Sequence, residues 1–284
     1  MAILSIQSHV SYGYVGNRAA TFPLQRLGHE VWAVNTVEFS NHTGYGSWQG
    51  TVFTDQMVKN LVLGIEERGV LCKCEALLSG YLGSAEIGEV VLDALSRIKR
   101  SAPKAIYCCD PVMGDYDTGF FVRKGIPEIL KDKIISQADI VTPNQFELEA
   151  LTGIEIHSVD DARRAADILH QKGPGVVLIT SFRSKETAMH HIDMLASDKS
   201  GLYRVRTPEL AFTKRPNGAG DLTTALFLSR YLQNRDAARA LELSSASVFA
   251  VLERSLAEAS PELLLIQTQD ELVQPTRRFI AERL

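Results

Sequence analysis

The chain has 284 residues, 45% of them hydrophobic and 23% charged, and a formal net charge of -4. A chain of this size and composition buries a large core and reads as a soluble globular protein, organised as one domain over residues 1–284. Basic residues run no longer than pairs such as Arg277-Arg278, so nothing marks a nucleic-acid or acidic-membrane partner, and a small molecule is the expected one.

The opening "MAILSIQSHVSYG" has no basic leader, long apolar run or small-residue cleavage site, and no stretch of about 18 apolar residues follows. A cytoplasmic location without a membrane span is therefore expected. The first strand is predicted over Ala2 to Ser8 and ends in "QSHVSYGYVGN"; the second, Glu30 to Thr36, leads to "FSNHTGYG". A third, Glu75 to Ser79, opens onto "SGYLG". In the helix after it, Ile87, Val90, Val91, Ala94, Leu95 and Ile98 share one face. Ala105 to Asp110 ends in "CCDPVMGD", and Ala138 to Thr142 in "VTPNQFELE". A helix carrying Ala162, Ala165, Ala166 and Leu169 then leads to Val176 to Thr180, ending in "ITS".

Strands alternating with helices in this way predict an α/β fold whose mostly parallel central sheet is covered on both faces. Weaker alternation between Glu186 and Arg206 predicts an antiparallel hairpin at one edge of that sheet. Asp221 to Arg254 reads as two helices, and the tail after Pro261 as a final short strand or helix. Cys72, Cys74, Cys108 and Cys109 fit neither a disulfide framework nor zinc-finger spacing, and all four are expected reduced.

In a parallel sheet, ligands bind outside the carboxyl ends of the strands. Six strand ends here carry hydroxyl, amide, carboxylate or aromatic groups, which predicts one polar crevice. There is no G-x-x-x-x-G-K-[ST], and "GYGSWQG" has the wrong spacing for a dinucleotide fingerprint. Phosphate binding must then rest on Gly218, Ala219 and Gly220 in "RPNGAGDLTTALF", a glycine turn opening a helix whose free N–H groups and dipole favour an anion.

Asp221 follows that turn at once. It either stabilises the helix dipole as a first-turn carboxylate or accepts a proton from an attacking hydroxyl beside the anion hole. With a reference pKa of about 3.9 it is a poor base, suited to acting late in a loose phosphoryl transfer. Asp110 and the pair Asn144 and Glu147 likewise carry one structural and one functional possibility. Asp-Pro makes a good turn and Asn-x-x-Glu satisfies a capping box, while their places after adjacent strands suit a hydrated Mg²⁺ and a triphosphate.

"NGAGD", "CDPVMGD" and "TPNQFELE" resemble the ribokinase superfamily, and "SHVSYGYVGN", "FSNHTGYG" and "SGYLGSAE" resemble its pyridoxal kinase family. The resemblance runs over essentially the whole chain. It departs before the glycines, where Arg215-Pro216-Asn217 replaces the Asp-Thr and one further residue of many relatives. It implies a ribokinase-like three-layer α/β/α fold with a small antiparallel edge element, and ATP-dependent, Mg²⁺-requiring phosphorylation of the 5'-hydroxymethyl group of pyridoxal, pyridoxine or pyridoxamine. K⁺ would help order the ATP loops, and the assembly would be a homodimer.

On that resemblance Ser8, Thr43, Gly44 and Tyr81 contact the vitamin, and Asp221 takes its hydroxyl proton. Asp110, Thr142, Asn144, Glu147 and Thr180 serve the nucleotide, with Asp110 and Glu147 on the metal and Asp115 a secondary candidate. Thr207, Pro208, Glu209 and Leu210 lie near the adenine. His9 and His42 fall in the vitamin loops without being metal ligands. The alternatives are a hydroxymethylpyrimidine kinase of the same fold and a non-catalytic vitamin binder, the latter having no need of a base beside an anion hole.

Overall fold

The computed structural model describes residues 2–284. From the N-terminus, β1 (Ala2–Val10), α1 (Asn17–Arg26), β2 (Glu30–Phe39), β3 (Gly50–Val52) and α2 (Asp55–Glu67) lead to β4 (Cys74–Ser79) and α3 (Ala85–Ser101). The middle holds β5 (Ile106–Cys109), a small hairpin β6 (Gly114–Asp115) and β7 (Gly119–Phe120), α4 (Ile126–Ile129), β8 (Ile140–Val141), α5 (Gln145–Thr152) and α6 (Val159–Lys172). Then come β9 (Val176–Phe182), β10 (His191–Asp198), β11 (Gly201–Pro208), α7 (Ala219–Asn234), α8 (Ala237–Ala257), α9 (Gln269–Val273) and β12 (Glu282–Arg283).

The main sheet runs β12-β11-β10-β9-β8-β5-β4-β1-β2-β3. Its centre, from β9 to β2, is parallel, whereas β10, β11 and β12 at one edge and β3 at the other are antiparallel. The hairpin expected between Glu186 and Arg206 is thus β10 and β11, and the tail supplies both a short helix and the edge strand β12.

Alternation along the central strands sends side chains to two cores. Leu4, Ile6, Leu77, Tyr107, Val141 and Val177 pack with α2, α3 and α6, while Ile3, Leu78, Cys108, Ile140 and Leu178 pack with α1, α7 and α8. Both faces of the sheet are therefore covered, giving the three layers that the near-continuous apolar runs require.

Several strands differ in extent from their predicted spans. β1 and β2 run on to Val10 and Phe39, because a register shift after Gln7 keeps them paired while Val10, Val37 and Phe39 join Val15 in a small cluster with Val52 and Tyr81. The run Ala138 to Thr142 yields only Ile140–Val141 as strand, since its partner β5 ends at Cys109 and Pro143 lacks an N–H to donate.

Chain order reverses at β1. β2 lies on one side of it, and β4, β5, β8 and β9 follow on the other. The switch point between β1 and β4 is where such a sheet opens a crevice at its carboxyl ends.

Candidate active site

Ser8 in β1 and Tyr81 just after β4 flank that switch point. Ser8 is buried; Tyr81 is half-buried, packs against the Val10, Val37 and Phe39 cluster, and accepts a 2.7 Å hydrogen bond at its carbonyl from the Thr36 hydroxyl. Burial pushes the Tyr81 hydroxyl above its ordinary pKa, against the pull of the Arg123 charge. Thr43 and Gly44 sit farther out, in an exposed 3₁₀ turn, Thr43–Tyr45, capped where His42 Nδ1 accepts from the Gly44 N–H at 3.1 Å. Such an acceptor must be an unprotonated nitrogen, and burial, the largest influence on His42, lowers its pKa accordingly.

The glycine turn is seated against the loop that follows β1. Gly218 caps α7 with φ +87°, a left-handed backbone, and a Cβ there would lie 1.7 Å from the Tyr14 carbonyl oxygen. Only glycine satisfies both conditions. Two residues beyond Tyr14, the Gly16 backbone gives a hydrogen bond to Asp221. Burial nonetheless raises the Asp221 carboxyl to about 6. The ordinary aspartate expected from sequence is therefore replaced by a stronger base, because partial removal from water outweighs the one backbone hydrogen bond that opposes it.

The same helix reaches Asp110, which follows β5. Thr224 Oγ1 donates to Asp110 Oδ2 at 3.1 Å, and its oxygen lies 2.8 Å from Thr142 Oγ1. Thr224 has one hydroxyl proton, so Thr142 is the donor in the second bond. Burial pushes Asp110 well above the usual carboxylate range, the charges of Glu147 and Asp221 push it further, and the two threonine hydroxyls oppose them. Asp110, Glu147 and Asp221 thus form one electrostatic neighbourhood.

Asn144 and Glu147 do form the capping box. Asn144 Oδ1 accepts from the Glu147 N–H, and Glu147 Oε2 from the Asn144 N–H, both at 2.9 Å. Glu147 Oε1 also accepts from the Met113 N–H at 2.9 Å, and Asn144 Nδ2 donates to the Gly114 carbonyl at 2.8 Å, so the cap holds the segment after Asp110 as well as the helix. Burial raises Glu147 to about 7 despite these backbone donors. Thr180, two residues before the end of the adjacent β9, bridges to Asn144. Asp115 turns away to cap the small hairpin, its Oδ1 accepting from the Thr118 N–H and hydroxyl at 2.8 Å each.

Thr207 and Pro208 end β11. Glu209 accepts from both Arg183 and Arg215, which hold its carboxyl below the usual range, the Arg183 hydrogen bond most of all. These residues and Leu210 stand beside β10, three strands from Asp110's β5. Thr142, Asn144, Glu147, Thr180 and Asp110 therefore gather at neighbouring strand ends, Ser8 and Tyr81 at the switch point, and Thr43 and Gly44 at the rim. Sequence reasoning missed Thr224 and Tyr14. The spacing of Thr224 one turn after Asp221, on a helix starting at the glycine turn, was the available clue.

Among the described residues no three His, Cys, Asp or Glu side chains converge as a metal cage. Two buried carboxylates, Asp110 and Glu147, suit instead a hard cation such as Mg²⁺, which keeps several waters and takes one or two carboxylates plus phosphates.

Comparison with known proteins shows the family and the fold. Residues 58–260 match the family model described as phosphomethylpyrimidine kinase. The chain is 49% identical over 284 residues to pyridoxal kinase PdxY of Corynebacterium diphtheriae, covering 100% of both. It is 51% identical to pyridoxal kinase PdxY of Rubrobacter xylanophilus, over 99% of this chain and 97% of that relative. Among solved structures, pyridoxal kinase from Leishmania donovani in complex with ADP and pyridoxamine superposes with a TM-score of 0.90 at 29% identity, covering 100% of this chain and 99% of that one.

Proposed function

The chain belongs to the pyridoxal kinase family and phosphorylates pyridoxal with ATP in vitamin B6 salvage, and we propose that Asp221 and the turn Gly218–Gly220 are where the transfer occurs. The observation that supports this most directly is that α7 carries the glycine turn, the raised-pKa Asp221 and, through Thr224, a hydrogen bond to Asp110. One rigid helix then fixes base, anion hole and metal-side carboxylate together.

The vitamin enters at the switch point, with its ring against Tyr81, its polar substituents within reach of Ser8 and Thr43, and the Gly44 backbone close by. Its 5'-hydroxymethyl oxygen forms a bond to the γ-phosphorus as the bond to the ADP oxygen breaks. The hydroxyl proton passes to Asp221. A carboxyl raised to about 6 is still ionised at neutral pH and is a better proton acceptor than an exposed aspartate. The free N–H groups of the turn face the transferring group, where fixed dipoles act without reorganising. A loose transition state lets the proton leave late, so placement of Asp221 matters as much as its basicity.

Asp110 and Glu147 would hold hydrated Mg²⁺, and Thr142, Asn144 and Thr180 the phosphate chain, with Thr207, Pro208, Glu209 and Leu210 toward the adenine. Held by these carboxylates, Mg²⁺ would supply positive charge to offset that of the phosphate chain. K⁺, on the family resemblance, would help order the nucleotide loops. Pyridoxine and pyridoxamine are further substrates on this reading.

The assembly we propose is a homodimer of single-domain chains. Exposed Met57 and Leu61, one turn apart on α2, offer it apolar surface, and light scattering tests it. Free Cys72, Cys74, Cys108 and Cys109 suit a reducing, cytoplasmic setting, and no described helix is long and apolar enough to cross a membrane. ADP release with Mg-ATP against pyridoxal, pyridoxine, pyridoxamine, hydroxymethylpyrimidine and ribose tests the substrate assignment. A B6 vitamer should give the highest kcat/KM, and preference for the pyrimidine or the sugar would contradict it.

A further inference from the structure

The loop carrying Thr43 and Gly44 is exposed, yet it is tied at three points to segments far away in sequence. Tyr45 OH donates to Glu262 Oε1, 217 positions on. Lys214 Nζ donates to the Gly44 carbonyl at 3.1 Å and stands 5.5 Å from the centre of the Tyr45 ring, a cation–π arrangement. The Tyr45 ring also meets Tyr12 edge-on, with centroids 6.2 Å apart.

Glu262 itself is held firmly. Its N–H donates to Ser260 Oγ at 3.1 Å, and its Oε2 accepts from the Tyr14 N–H at 3.2 Å. It also lies so close to Gly13 that a Cβ there would come within 2.5 Å of Oε2. Tyr14 is the residue whose carbonyl packs against Gly218, and Lys214 lies four positions before Gly218. The vitamin-side loop is therefore joined to the glycine turn by two routes, through Glu262 and Tyr14 on one side and through Lys214 on the other.

The geometry points to Tyr45, Glu262 and Lys214 as positioning residues that hold the Thr43–Gly44 loop over the crevice in register with the catalytic turn, and so govern use of the vitamin rather than of ATP. This rests on the assignment of Thr43 and Gly44 to the vitamin. Burial and Glu262 together raise the Tyr45 pKa, which keeps its hydroxyl a donor at working pH. Because the contacts lie at the rim, they add little to the buried core. Their loss loosens the loop without unfolding the chain.

The test is steady-state kinetics of Tyr45→Phe, Glu262→Ala, their double variant, Lys214→Met and Thr43→Ala, each with a melting temperature. Tyr45→Phe keeps the ring and removes only the hydroxyl. It and Glu262→Ala should each raise the pyridoxal KM about fivefold, within the reach of one hydrogen bond, with the ATP KM and melting temperature unchanged. The double variant should be no worse than the weaker single, since the two share that bond. Glu262→Gln should recover part of the loss, and Lys214→Met should shift the same constant in the same direction. Equal rises in both KM values, a fall in melting temperature that accounts for the change, or additive effects would overturn the proposal. If Thr43→Ala raises the pyridoxal KM while the three tie variants are silent, the ties alone are wrong. If Thr43→Ala is itself silent, the loop does not serve the vitamin and the proposal falls with that assignment.

Discussion

Thr224 donates a hydrogen bond to Asp110 across 3.1 Å, joining the helix that opens at the glycine turn to the carboxylate after β5. Both groups are buried, and Thr142 completes the chain at 2.8 Å. Thr224→Val keeps the shape but strands the Thr142 hydroxyl and deprives Asp110 of a donor. It should cost about 1 to 3 kcal/mol of stability, the range for a buried group left unpaired. It should also raise the Mg²⁺ needed for half-maximal turnover, because Asp110 loses a group that favours its charged form. Thr224→Ser should restore both. Calorimetry with a Mg²⁺ titration of the two variants checks this, and a Thr224→Val enzyme with normal metal dependence would detach Asp110 from the metal.

The two glycines of the turn should fail differently. Gly218→Ala forces a Cβ into the Tyr14 carbonyl at a left-handed φ, so it should lower the melting temperature and abolish turnover together. Gly220 lies inside α7, where a Cβ would have no atom within 4 Å beyond the helix's own backbone and its chain neighbours. Alanine there should stabilise the helix slightly, by up to about 1 kcal/mol. On the proposed placement of the phosphoryl group at this turn, Gly220→Ala should still impair turnover. A stable, fully active Gly220→Ala would move the anion hole elsewhere.

Stability should depend on pH with an unusual sign. Glu147 titrates at about 7 and Asp221 at about 6 in the folded chain, and Asp110 is also raised, all above their unfolded values. Below the unfolded values both states are protonated and the stability is fully present. Between the unfolded and folded values the native state holds more protons, so stability falls as pH rises. The nucleotide-free protein should therefore melt lower at pH 8 than at pH 5, and Glu147→Gln should flatten part of that slope. Protons must leave before the cation binds, so the Mg²⁺ requirement should be greater at pH 6 than at pH 8, and less so in Glu147→Gln. Parallel melting curves for the two proteins across this range would contradict the raised Glu147 pKa.

Much of this site was legible in the sequence because strand ends are. A brief apolar run followed by Asp110, Thr142 and Asn144, or Thr180 announces both a buried strand and a group at its carboxyl end, and the capping-box spacing of Asn144 and Glu147 is local. The hairpin β10 and β11 was legible for the same reason, through alternation. What the sequence hid depends on contacts between distant positions. The Tyr14–Glu262 bond spans 248 positions and the Thr224–Asp110 bond 114, and no periodicity encodes such meetings. The raised pKa of Asp221 was hidden too, because it arises from burial against the loop after β1 rather than from its neighbours in the chain.

The central claim is that Asp221 is the base. Its most direct test is Asp221→Asn, measured for kcat, ATP affinity and melting temperature on one preparation. Asparagine keeps the size and the helix-opening backbone but cannot take up the proton, so kcat should fall by roughly 10²-fold or more. ATP affinity should be unchanged or slightly tighter, since the N–H groups of Gly218 to Gly220 are untouched and a nearby negative charge is gone. The melting temperature should hold or rise, because a charge that repels Asp110 has been removed. A role confined to the helix dipole predicts the reverse, a stability loss of about 0.3 to 1 kcal/mol with kcat preserved, and near-normal turnover would remove Asp221 from the chemistry.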